Sequence, residues 1–373
     1  MQLIDISQNQ LLTEVTEKLQ NVLEDIVHKV EINSDFSINH PDYKPLEIPV
    51  VVGERFRKMP QQMQQKYLSL QLRSFIYGIY YNGSMRTALA PDGEKNGLPL
   101  DLENNTILGV DVDFYQQLHE TNCGTGYFDH GWSVLTEESD GTLAVTKGGL
   151  RLHIEREKHL QAEQQTAVVG DSVAIRMPKN LVQNGFYVAV GNQGLYRIDD
   201  SESQLVTVRV YLNFTPEGAV AVMSSLTQRL NELAIPNHFK VLYNPKEYER
   251  HDSGVLYFDK KDYQVVREVL QVVYRENKQH FKSEVPLFTK QLAVGLGLAE
   301  EPDQKFASGE SFGMNRCQIV ANGLLEAWHQ RDDSTEGRMK AIAQQFSVMG
   351  IDLQHPYLNA GSEDIYQLLD VNK

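Results

Sequence analysis

Three cationic residues lie on or beside short apolar segments in the middle of the chain. Arg209 is in VTVRVYLNF, Lys240 is in HFKVLY, and Arg250 comes shortly before GVLYF. A strand that buries one face rarely carries Lys or Arg without a partner, because removing a charge from water costs more free energy than the strand gains. Cations that converge on a rigid sheet therefore indicate an anion site, and phosphate is the most natural anion.

The alternation of side chains along a strand places further polar groups beside these cations. Residues two apart share a face, so Arg209 lies with Tyr211. By the same rule His238 lies with Lys240 and Leu242. If the two strands are close together, one sheet face carries four polar, ionisable groups. The alternative is that each cation reaches water from a strand end or pairs with a carboxylate, and the spacing leaves both interpretations open.

The elements that position these residues are predicted to be antiparallel strands with helices between them. The runs with period two are LAVTKGGLRLHI, DSVAIRMP, NGFYVAVG, QLVTVRVYLNF, HFKVLY and GVLYF. Gly148-Gly149 predicts a hairpin turn, and Thr215 before Pro216 predicts the start of a helix. Further helices are predicted at DYQVVREVLQVVYRENKQHF and in two C-terminal segments. The stretch 286–309 is rich in glycine and predicts a long functional loop.

The N-terminal part is predicted to be mainly helical. Apolar residues recur at helical spacing over 8–30, and Pro60 begins a second helix. The fold class that follows is α+β. We expect a helical N-terminal region over 1–125, followed by a mostly antiparallel twisted sheet flanked by helices over 126–373.

Composition and charge exclude several classes of function. The chain has 373 residues, of which 41% are hydrophobic and 23% charged, as in ordinary globular proteins. Its net charge of −15 argues against broad nucleic-acid binding, which needs a basic face. No apolar run reaches the roughly 18 residues of a membrane helix, and the N-terminus carries no secretory signal. We therefore expect no nucleic-acid or membrane partner, although secretion as an effector stays open.

The two cysteines, Cys123 and Cys317, have no metal-ligand spacing, and the histidines show no zinc-binding pattern. A reducing, cytoplasmic setting without a metal is the expectation. The segment GESFG matches the G-x-S-x-G pattern of a nucleophilic serine, but that pattern requires a preceding strand. The residues before Ser311 are polar, so the sequence favours a helix start with Ser311 near its N-cap. A hydrolase that uses Ser311 remains an alternative.

Four segments, covering roughly residues 205–330, together resemble the HopA family of type III effectors. They are VRVYLNFTPEGAVAVMSSLTQRLN, FKVLYNPKEYERHDSGVLYF, VPLFTKQLAVGLGLAEEP and GESFGMNRC. Relatives in that family act as lyase partners in the biosynthesis of class V lanthipeptides and thioamide-containing peptides. The family is distantly similar to the bacterial phosphothreonine lyases and to the lyase domains of lanthipeptide synthetases.

Those lyases carry K-x-H on one strand, a lysine on a second strand and an arginine about ten residues later. In this sequence the K-x-H position reads R-V-Y, from Arg209 to Tyr211, so the usual acid histidine is replaced. Lys240 matches the lysine of the second strand, and Arg250 falls at the phosphate-binding arginine. Arg316 in GMNRC is a candidate for a later phosphate-binding arginine.

The resemblance implies β-elimination of phosphate from phosphoserine or phosphothreonine in a peptide, without a metal or organic cofactor. Lys240 would be the base, because burial and nearby cations would favour its neutral form. Tyr211 would be the acid or oxyanion donor, with His238 as a substitute acid. The phosphate would be bound by the remaining candidates, which are Arg209, Arg250, Arg316 and His251. The implied partners are a phosphorylated precursor peptide and a kinase.

The replaced histidine favours a second interpretation. The chain would then be a non-catalytic peptide- or protein-binding module of the same fold, similar to an effector. Its discriminating feature would be an exposed edge strand near Tyr127–Ile154, because extended peptides add to sheet edges. Turnover of a phosphopeptide separates the two interpretations.

Overall fold

A seven-stranded antiparallel sheet organises the fold. The computed structural model describes residues 17–47, 50–92, 106–107, 109–194 and 205–370. The helices are α1 (17–29), α2 (Val50–Arg57), α3 (Gln61–Ile76), α4 (Arg86–Leu89), α5 (Val112–Thr121), α6 (Arg156–His159), α7 (Pro216–Glu232), α8 (Tyr263–Asn277), α9 (Phe312–Gln330) and α10 (Thr335–Val348).

The first ten strands lie between residues 31 and 183. They are β1 (Glu31–Ile32), β2 (Ile38–His40), β3 (Tyr43–Leu46), β4 (Thr106–Ile107), β5 (Val110–Asp111), β6 (Tyr127–Glu137), β7 (Leu143–Lys147), β8 (Leu150–Ile154), β9 (Ser172–Met177) and β10 (Asn180–Gln183). The later strands are β11 (Phe186–Val190), β12 (Thr207–Leu212), β13 (His238–Leu242), β14 (Gly254–Asp259), β15 (Lys290–Ala293) and β16 (Leu296–Glu300). The predicted α+β fold is confirmed.

The order of strands in the main sheet is β10-β11-β13-β14-β12-β16-β15, and every neighbouring pair is antiparallel. One face packs against α7 and α8, which also pack against each other. Alternation explains this packing, because Val208, Val210 and Leu212 on β12 point to that side and are fully buried. The opposite face carries Arg209 and Tyr211.

The helix starts follow the predicted capping residues. Thr215 caps α7 by accepting a hydrogen bond from the Gly218 N–H at 3.2 Å. Ser311 caps α9 by accepting one from the Met314 N–H at 3.3 Å, in agreement with the helix-start interpretation of GESFG. The residues before Ser311 form no strand, so the requirement of a nucleophilic serine motif is not met.

A second, four-stranded sheet has a small core of its own. Its order is β8-β7-β6-β9, and the hairpin of β7 and β8 turns at Gly148-Gly149 as predicted. One face buries a cluster that includes Trp132, Leu143 and Ile175. β8 pairs only with β7 among the described residues, so an edge strand does lie within 127–154.

The N-terminal helices pack into the core of the main sheet. α1 contributes Leu23 and Ile26, and α3 contributes Leu72 and Phe75, all of them buried. The part of the first predicted helix over residues 8–16 lies outside the described residues. α3 packs against α9 and continues into a π-helical turn over Tyr77–Tyr81. The domain boundary between residues 125 and 126 stays a prediction.

The predicted loop over 286–309 is wrong in its first half, where β15 and β16 form a hairpin at the edge of the main sheet. All five residues of β16 are buried, so the strand lacks the alternation that marks a half-exposed strand. Gly297 was part of the apparent loop signal. A Cβ at this position would lie 2.6 Å from the Thr289 Oγ1, so a strand glycine is required by close packing.

Candidate active site

Tyr257 lies at the centre of the polar face of the main sheet. β14 separates β12 from β13, and Tyr257 pairs with Arg209 on one side and His238 on the other. Directly paired residues share a face, so the three side chains form one row across the sheet. In the next row, Lys240 and Tyr211 lie on either side of Val255. The four polar groups singled out in the sequence therefore share one face, although their strands are not neighbours.

Aromatic rings connect the three cations. The Arg209 Cζ lies 5.0 Å from the centre of the Tyr257 ring, and the Lys240 Nζ lies 5.2 Å from the same centre. The Lys240 Nζ is also 4.7 Å from the centre of the Phe186 ring, and the Arg250 Cζ is 5.6 Å from it. The negative faces of the rings favour cations at these distances. We call this set of five side chains the cationic face.

Carboxylates pair with two of the three cations. Asp252 accepts two hydrogen bonds from Arg250, at 2.9 Å from Nε and 3.0 Å from Nη2. Glu301 accepts a hydrogen bond from the Arg209 Nε. Among the described residues, Lys240 has no carboxylate within ion-pair distance, and its side chain is only half-buried. The amine of Lys240 is therefore the charge on this face that a ligand can approach.

The pairing of Arg250 depends on residues from the N-terminal region. The carboxylate of Asp252 is buried and also accepts hydrogen bonds from the Tyr77 hydroxyl at 3.3 Å and the Asn82 Nδ2 at 3.3 Å. Burial opposes ionisation of this carboxyl, but the Arg250 guanidinium and the hydrogen bonds lower its pKa below the usual range. The π-helical turn thereby fixes the position of Arg250 through Asp252.

Tyr211 presents a buried phenol beneath the cationic face. Its ring lies between those of Tyr81 and Phe312, with centres at 6.4 Å and 6.3 Å, and only 2% of the residue is exposed. Within the described parts of the chain, its hydroxyl has no partner at ideal hydrogen-bonding geometry, but it lies within reach of the Tyr81 hydroxyl and the Arg209 guanidinium. Burial raises the pKa of Tyr211 even though Arg209 acts in the opposite direction. The phenol is therefore neutral at physiological pH and can donate a proton or a hydrogen bond.

His238 is a neutral imidazole in the free protein. Its ring stacks on Tyr257, with centres 4.3 Å apart and an angle of 11° between the planes. Burial, followed by the charges of Lys240 and Arg209, lowers the pKa of His238 to about 4. A bound phosphate would oppose the field of these cations and favour the imidazolium. His238 can act as an acid only in such a complex.

We expect the titration of His238 to report on anion binding. In the free protein, the imidazole should stay neutral until the pH falls to about 4. Saturation with O-phosphothreonine should raise the pKa of His238, because the anion offsets Lys240 and Arg209. The ¹H–¹³C NMR signal of the His238 ring measures both values. The Lys240→Met variant should raise the pKa of His238 without any ligand, and an unchanged signal in both experiments would contradict this electrostatic account.

The same shift predicts a pH dependence of stability. Between pH 6.5 and about 4 the unfolded chain binds a proton at His238 that the folded chain does not. Stability contributed by this group is therefore present above pH 6.5 and lost as the pH falls towards 4. Urea unfolding across this range should show a smaller loss of stability in the His238→Asn variant than in the unchanged protein.

The hydrogen bonds of Arg316 go to buried groups and not to the surface of the cationic face. Its guanidinium is buried and donates to the backbone carbonyl oxygens of Pro356 at 2.7 Å and Leu358 at 2.9 Å. A third bond goes to the Asn315 Oδ1 at 2.6 Å. Burial lowers the pKa of Arg316 to about 10, so it is still charged at neutral pH. This geometry anchors the segment after α10 and leaves no access for a phosphate.

His251 faces a different part of the molecule. It is buried and lines a cavity whose charged residues are Lys18, Arg86 and Glu284. None of the three cations of the cationic face lines this cavity. Burial and the Arg86 guanidinium lower the pKa of His251. His251 is therefore separated from the phosphate-binding position that the resemblance implies for it.

Sequence reasoning missed four residues of the site. Phe186 and Tyr257 lie on predicted strands, but only the registers show that they separate the cations. Asp252 follows Arg250 by two residues, and this spacing is a signal that could have identified it. Glu301 lies just after β16, in the stretch that was predicted to be a loop. No signal in the sequence indicated its pairing with Arg209.

Within the described residues, no group of three or more His, Cys, Asp or Glu side chains is arranged to hold a metal ion. In the same part of the chain, no helix has both the length and the apolar character needed to cross a bilayer.

One protein family matches the part of the chain that contains these residues. Residues 177–358 match the HopA1 effector protein family. The match covers 182 of the 373 residues, so this region is similar to that family. All the residues of the cationic face, together with Asp252 and Glu301, lie inside the HopA1 region, whereas the strands β6 to β9 lie before or at its start. No curated protein matches the chain.

Two solved structures of effector proteins are similar to this protein. One is the effector protein from Pseudomonas syringae pv. tomato strain DC3000, with 18% identity, a TM-score of 0.42, and coverage of 80% of this chain and 96% of that chain. The other is the effector protein from Pseudomonas syringae pv. syringae strain 61, with 14% identity, a TM-score of 0.41, and coverage of 80% and 98%.

Proposed function

We propose that the protein is a carbon–oxygen lyase that eliminates phosphate from phosphoserine or phosphothreonine in a peptide and leaves a dehydroamino acid. The observation that supports this function best is the environment of Lys240. Its amine lies between two aromatic rings, and each ring also contacts an arginine that is paired with a carboxylate. This arrangement supports the assignment of Lys240 as the base and of the arginines as the cations for the leaving group.

The reaction needs three groups in defined positions. In its deprotonated form the amine of Lys240 takes the Cα proton, and the electron pair of that C–H bond forms the new double bond between Cα and Cβ. The Cβ–O bond breaks, and phosphate leaves with its electron pair. Negative charge builds up on the peptide carbonyl oxygen before the bond breaks, so a hydrogen-bond donor near it lowers the barrier. The buried, neutral phenol of Tyr211 is our candidate for that donor.

The two arginines supply charge to the leaving phosphate. A guanidinium has five N–H donors, and Asp252 takes two of those of Arg250. The remaining donors of Arg250 can form charge-assisted bonds with phosphate oxygens, and the planar group suits bidentate contact. Pairing with Asp252 and Glu301 holds both arginines in place before the substrate binds. This arrangement reduces the reorganisation that binding requires.

A synthetic peptide with one phosphothreonine tests the activity. We expect the protein to release inorganic phosphate and to leave a product that has lost phosphoric acid and reacts with an added thiol at the new double bond. Reaction in ¹⁸O-labelled water separates elimination from hydrolysis, because elimination breaks the Cβ–O bond without adding water. Release of phosphate with an intact threonine would exclude a lyase.

The contribution of Arg250 to phosphate binding needs a paired variant. Removing Arg250 alone leaves the buried carboxylate of Asp252 without its cation, which destabilises the fold. We expect the double variant Arg250→Gln, Asp252→Asn to raise the KM for the phosphopeptide about 10- to 100-fold, the range of one or two charge-assisted hydrogen bonds. Steady-state phosphate release measures it, and the single variant Asp252→Asn is the control that keeps the cation. A KM equal to that of the unchanged protein would remove Arg250 from the site.

A second candidate is a module that binds phosphopeptides without chemistry. The observation that favours it is the neutral state of His238 in the free protein, which leaves no imidazolium acid on the cationic face. Under this candidate the phosphothreonine peptide binds in a Lys240-dependent manner, but the phosphate stays attached.

Under the lyase proposal, the substrate is a precursor peptide that a separate kinase has phosphorylated in the cytoplasm.

A further inference from the structure

The strand β10 forms an open edge of the main sheet. Among the described residues it pairs only with β11, through a hairpin that turns at Asn184-Gly185. Its sequence NLVQ contains no charge and no proline, and Val182 is 65% exposed. Natural proteins usually protect such an edge with lysine, proline or a bulge, because an open edge pairs readily with another strand. None of these protections lies within β10 itself, and Pro178 and Lys179 directly precede the strand.

The register determines which backbone groups point away from the sheet. The Val190 N–H donates to the Lys179 carbonyl oxygen at 2.9 Å, so Lys179 directs its backbone carbonyl towards β11. Pairs in an antiparallel ladder alternate, and Leu181 and Gln183 follow the same pattern as Lys179. Asn180 and Val182 therefore direct their N–H and C=O groups towards the open side. The Val182 backbone offers one donor and one acceptor to an added strand.

The other edge strands of the two large sheets are either covered or carry a charge. The opposite edge strand of the main sheet, β15, is covered by the C-terminal segment, where the Leu369 N–H donates to the Leu292 carbonyl oxygen at 3.0 Å. The edge strands β8 and β9 of the second sheet carry Arg151 and Arg176, and such charges discourage pairing. β10 is thus the uncharged edge, and it adjoins the cationic face through β11.

We propose that β10 binds an extended segment of the substrate polypeptide as an eighth strand of the main sheet. This inference rests on the proposed function, because it names the part of the substrate that the enzyme recognises outside the phosphorylated residue. Main-chain hydrogen bonds from Val182 supply affinity without a strict sequence requirement. Leu181 lies on the same face as Lys240, since Leu181 pairs with Val188 and Val188 pairs with Lys240.

The dimensions of the sheet define the spacing within the substrate. An added strand would lie three strand spacings from β13, which is about 14 Å at roughly 4.8 Å per spacing. An extended chain covers this distance in about four or five residues, at roughly 3.3 Å per residue. The paired segment and the phosphorylated residue are therefore separated by a short linker. A substrate that binds tightly contains both the paired segment and the phosphorylated residue, whereas a phosphoamino acid alone lacks the paired segment.

The test compares Val182→Pro with Val182→Thr. Proline removes the outward N–H of Val182 but no bond to β11, and it is tolerated on edge strands for this reason. Threonine keeps the N–H and is the matched control. The long probe is a segment of alternating Val and Thr, followed by a Gly-Ser linker of about five residues and a phosphothreonine. The short probe is acetyl-Gly-phosphothreonine-Gly-amide, and a third probe is the long peptide with N-methyl groups in its paired segment.

We expect Val182→Pro to raise the KM for the long probe about tenfold, the effect of roughly one hydrogen bond and a steric block. The KM for the short probe should not change, and the N-methylated probe should bind the unchanged protein as weakly as the long probe binds Val182→Pro. An unaltered KM in a Val182→Pro variant with an unchanged melting temperature overturns the proposal. So does a wild-type dimer that Val182→Pro dissociates without affecting peptide binding, since a second copy would then occupy the edge.

A binding measurement separates this inference from the lyase activity. Fluorescence anisotropy with a labelled, unphosphorylated version of the long probe requires no chemistry. Binding that is weakened by Val182→Pro, in a protein that releases no phosphate from any probe, supports the edge and contradicts the lyase. Release of phosphate from the short probe, together with anisotropy that Val182→Pro leaves unchanged, supports the lyase and contradicts the edge.

Discussion

Replacing Lys240 with alanine is expected to lower kcat for phosphate elimination about 100- to 10,000-fold, the contribution typical of a positioned general base. The reason is geometric, because Lys240 is the cation on this face that has no carboxylate partner among the described residues. The arginines cannot replace it, since a guanidinium does not lose its proton in proteins. Initial rates of phosphate release with the phosphothreonine peptide measure the effect.

Two controls separate loss of the base from loss of charge. The Lys240→Arg variant keeps a cation between Phe186 and Tyr257, so phosphopeptide affinity should be largely retained while elimination is lost. The Lys246→Ala variant removes an exposed lysine from the turn after β13 and should leave the rate unchanged. Elimination by Lys240→Arg at the original rate would assign the base to another residue.

Replacing Arg316 with alanine is expected to reduce the free energy of unfolding by about 3–5 kcal/mol, with little specific effect on phosphopeptide affinity in the folded fraction. The substitution removes the donors for two buried carbonyl oxygens, those of Pro356 and Leu358, and opens a cavity beside Phe312. Buried acceptors without partners each cost about 1–3 kcal/mol. Urea unfolding, followed by circular dichroism, measures the loss.

Comparison with the Arg250 variant distinguishes a structural role of Arg316 from a role in phosphate binding. If Arg316 bound phosphate, its removal would raise the KM in the same way as the Arg250 and Asp252 double variant. The milder Arg316→Lys variant keeps a charge and should still fold if the alanine variant does not. Arg57→Ala, at an exposed position in α2, is the control for loss of an arginine and should change stability by less than about 0.5 kcal/mol.

The strands of the main sheet could be predicted because their local signals agree with the fold. β12 and β13 alternate between apolar and polar residues, and Thr215 marks the start of the helix that covers them. The same alternation correctly placed Arg209 with Tyr211 and His238 with Lys240. β16 could not be predicted in this way, because burial on both faces removes the alternation and its glycines resemble those of a loop.

The arrangement of the site could be predicted only in part from the sequence. The sequence identified Arg209, Lys240 and Arg250 as unusual cations, and these three share the cationic face. It also indicated Arg316 as a phosphate-binding residue. A buried arginine that binds backbone carbonyls and one that binds phosphate cannot be distinguished by their local sequence. Their difference depends on contacts with residues 40 or more positions away, such as Pro356 and Leu358.

The amino-acid sequence by itself determined the strands β12 and β13, the helix α7, the α+β class and the side of these strands on which a cation lies, because these depend on the local period of apolar residues. The tertiary structure alone decided that β14 inserts Tyr257 between Arg209 and Lys240, and that Asp252 and Glu301 pair with the two arginines. The physical reason is that strand order and ion pairing are set by packing between distant segments, while alternation is set by the geometry of a single strand.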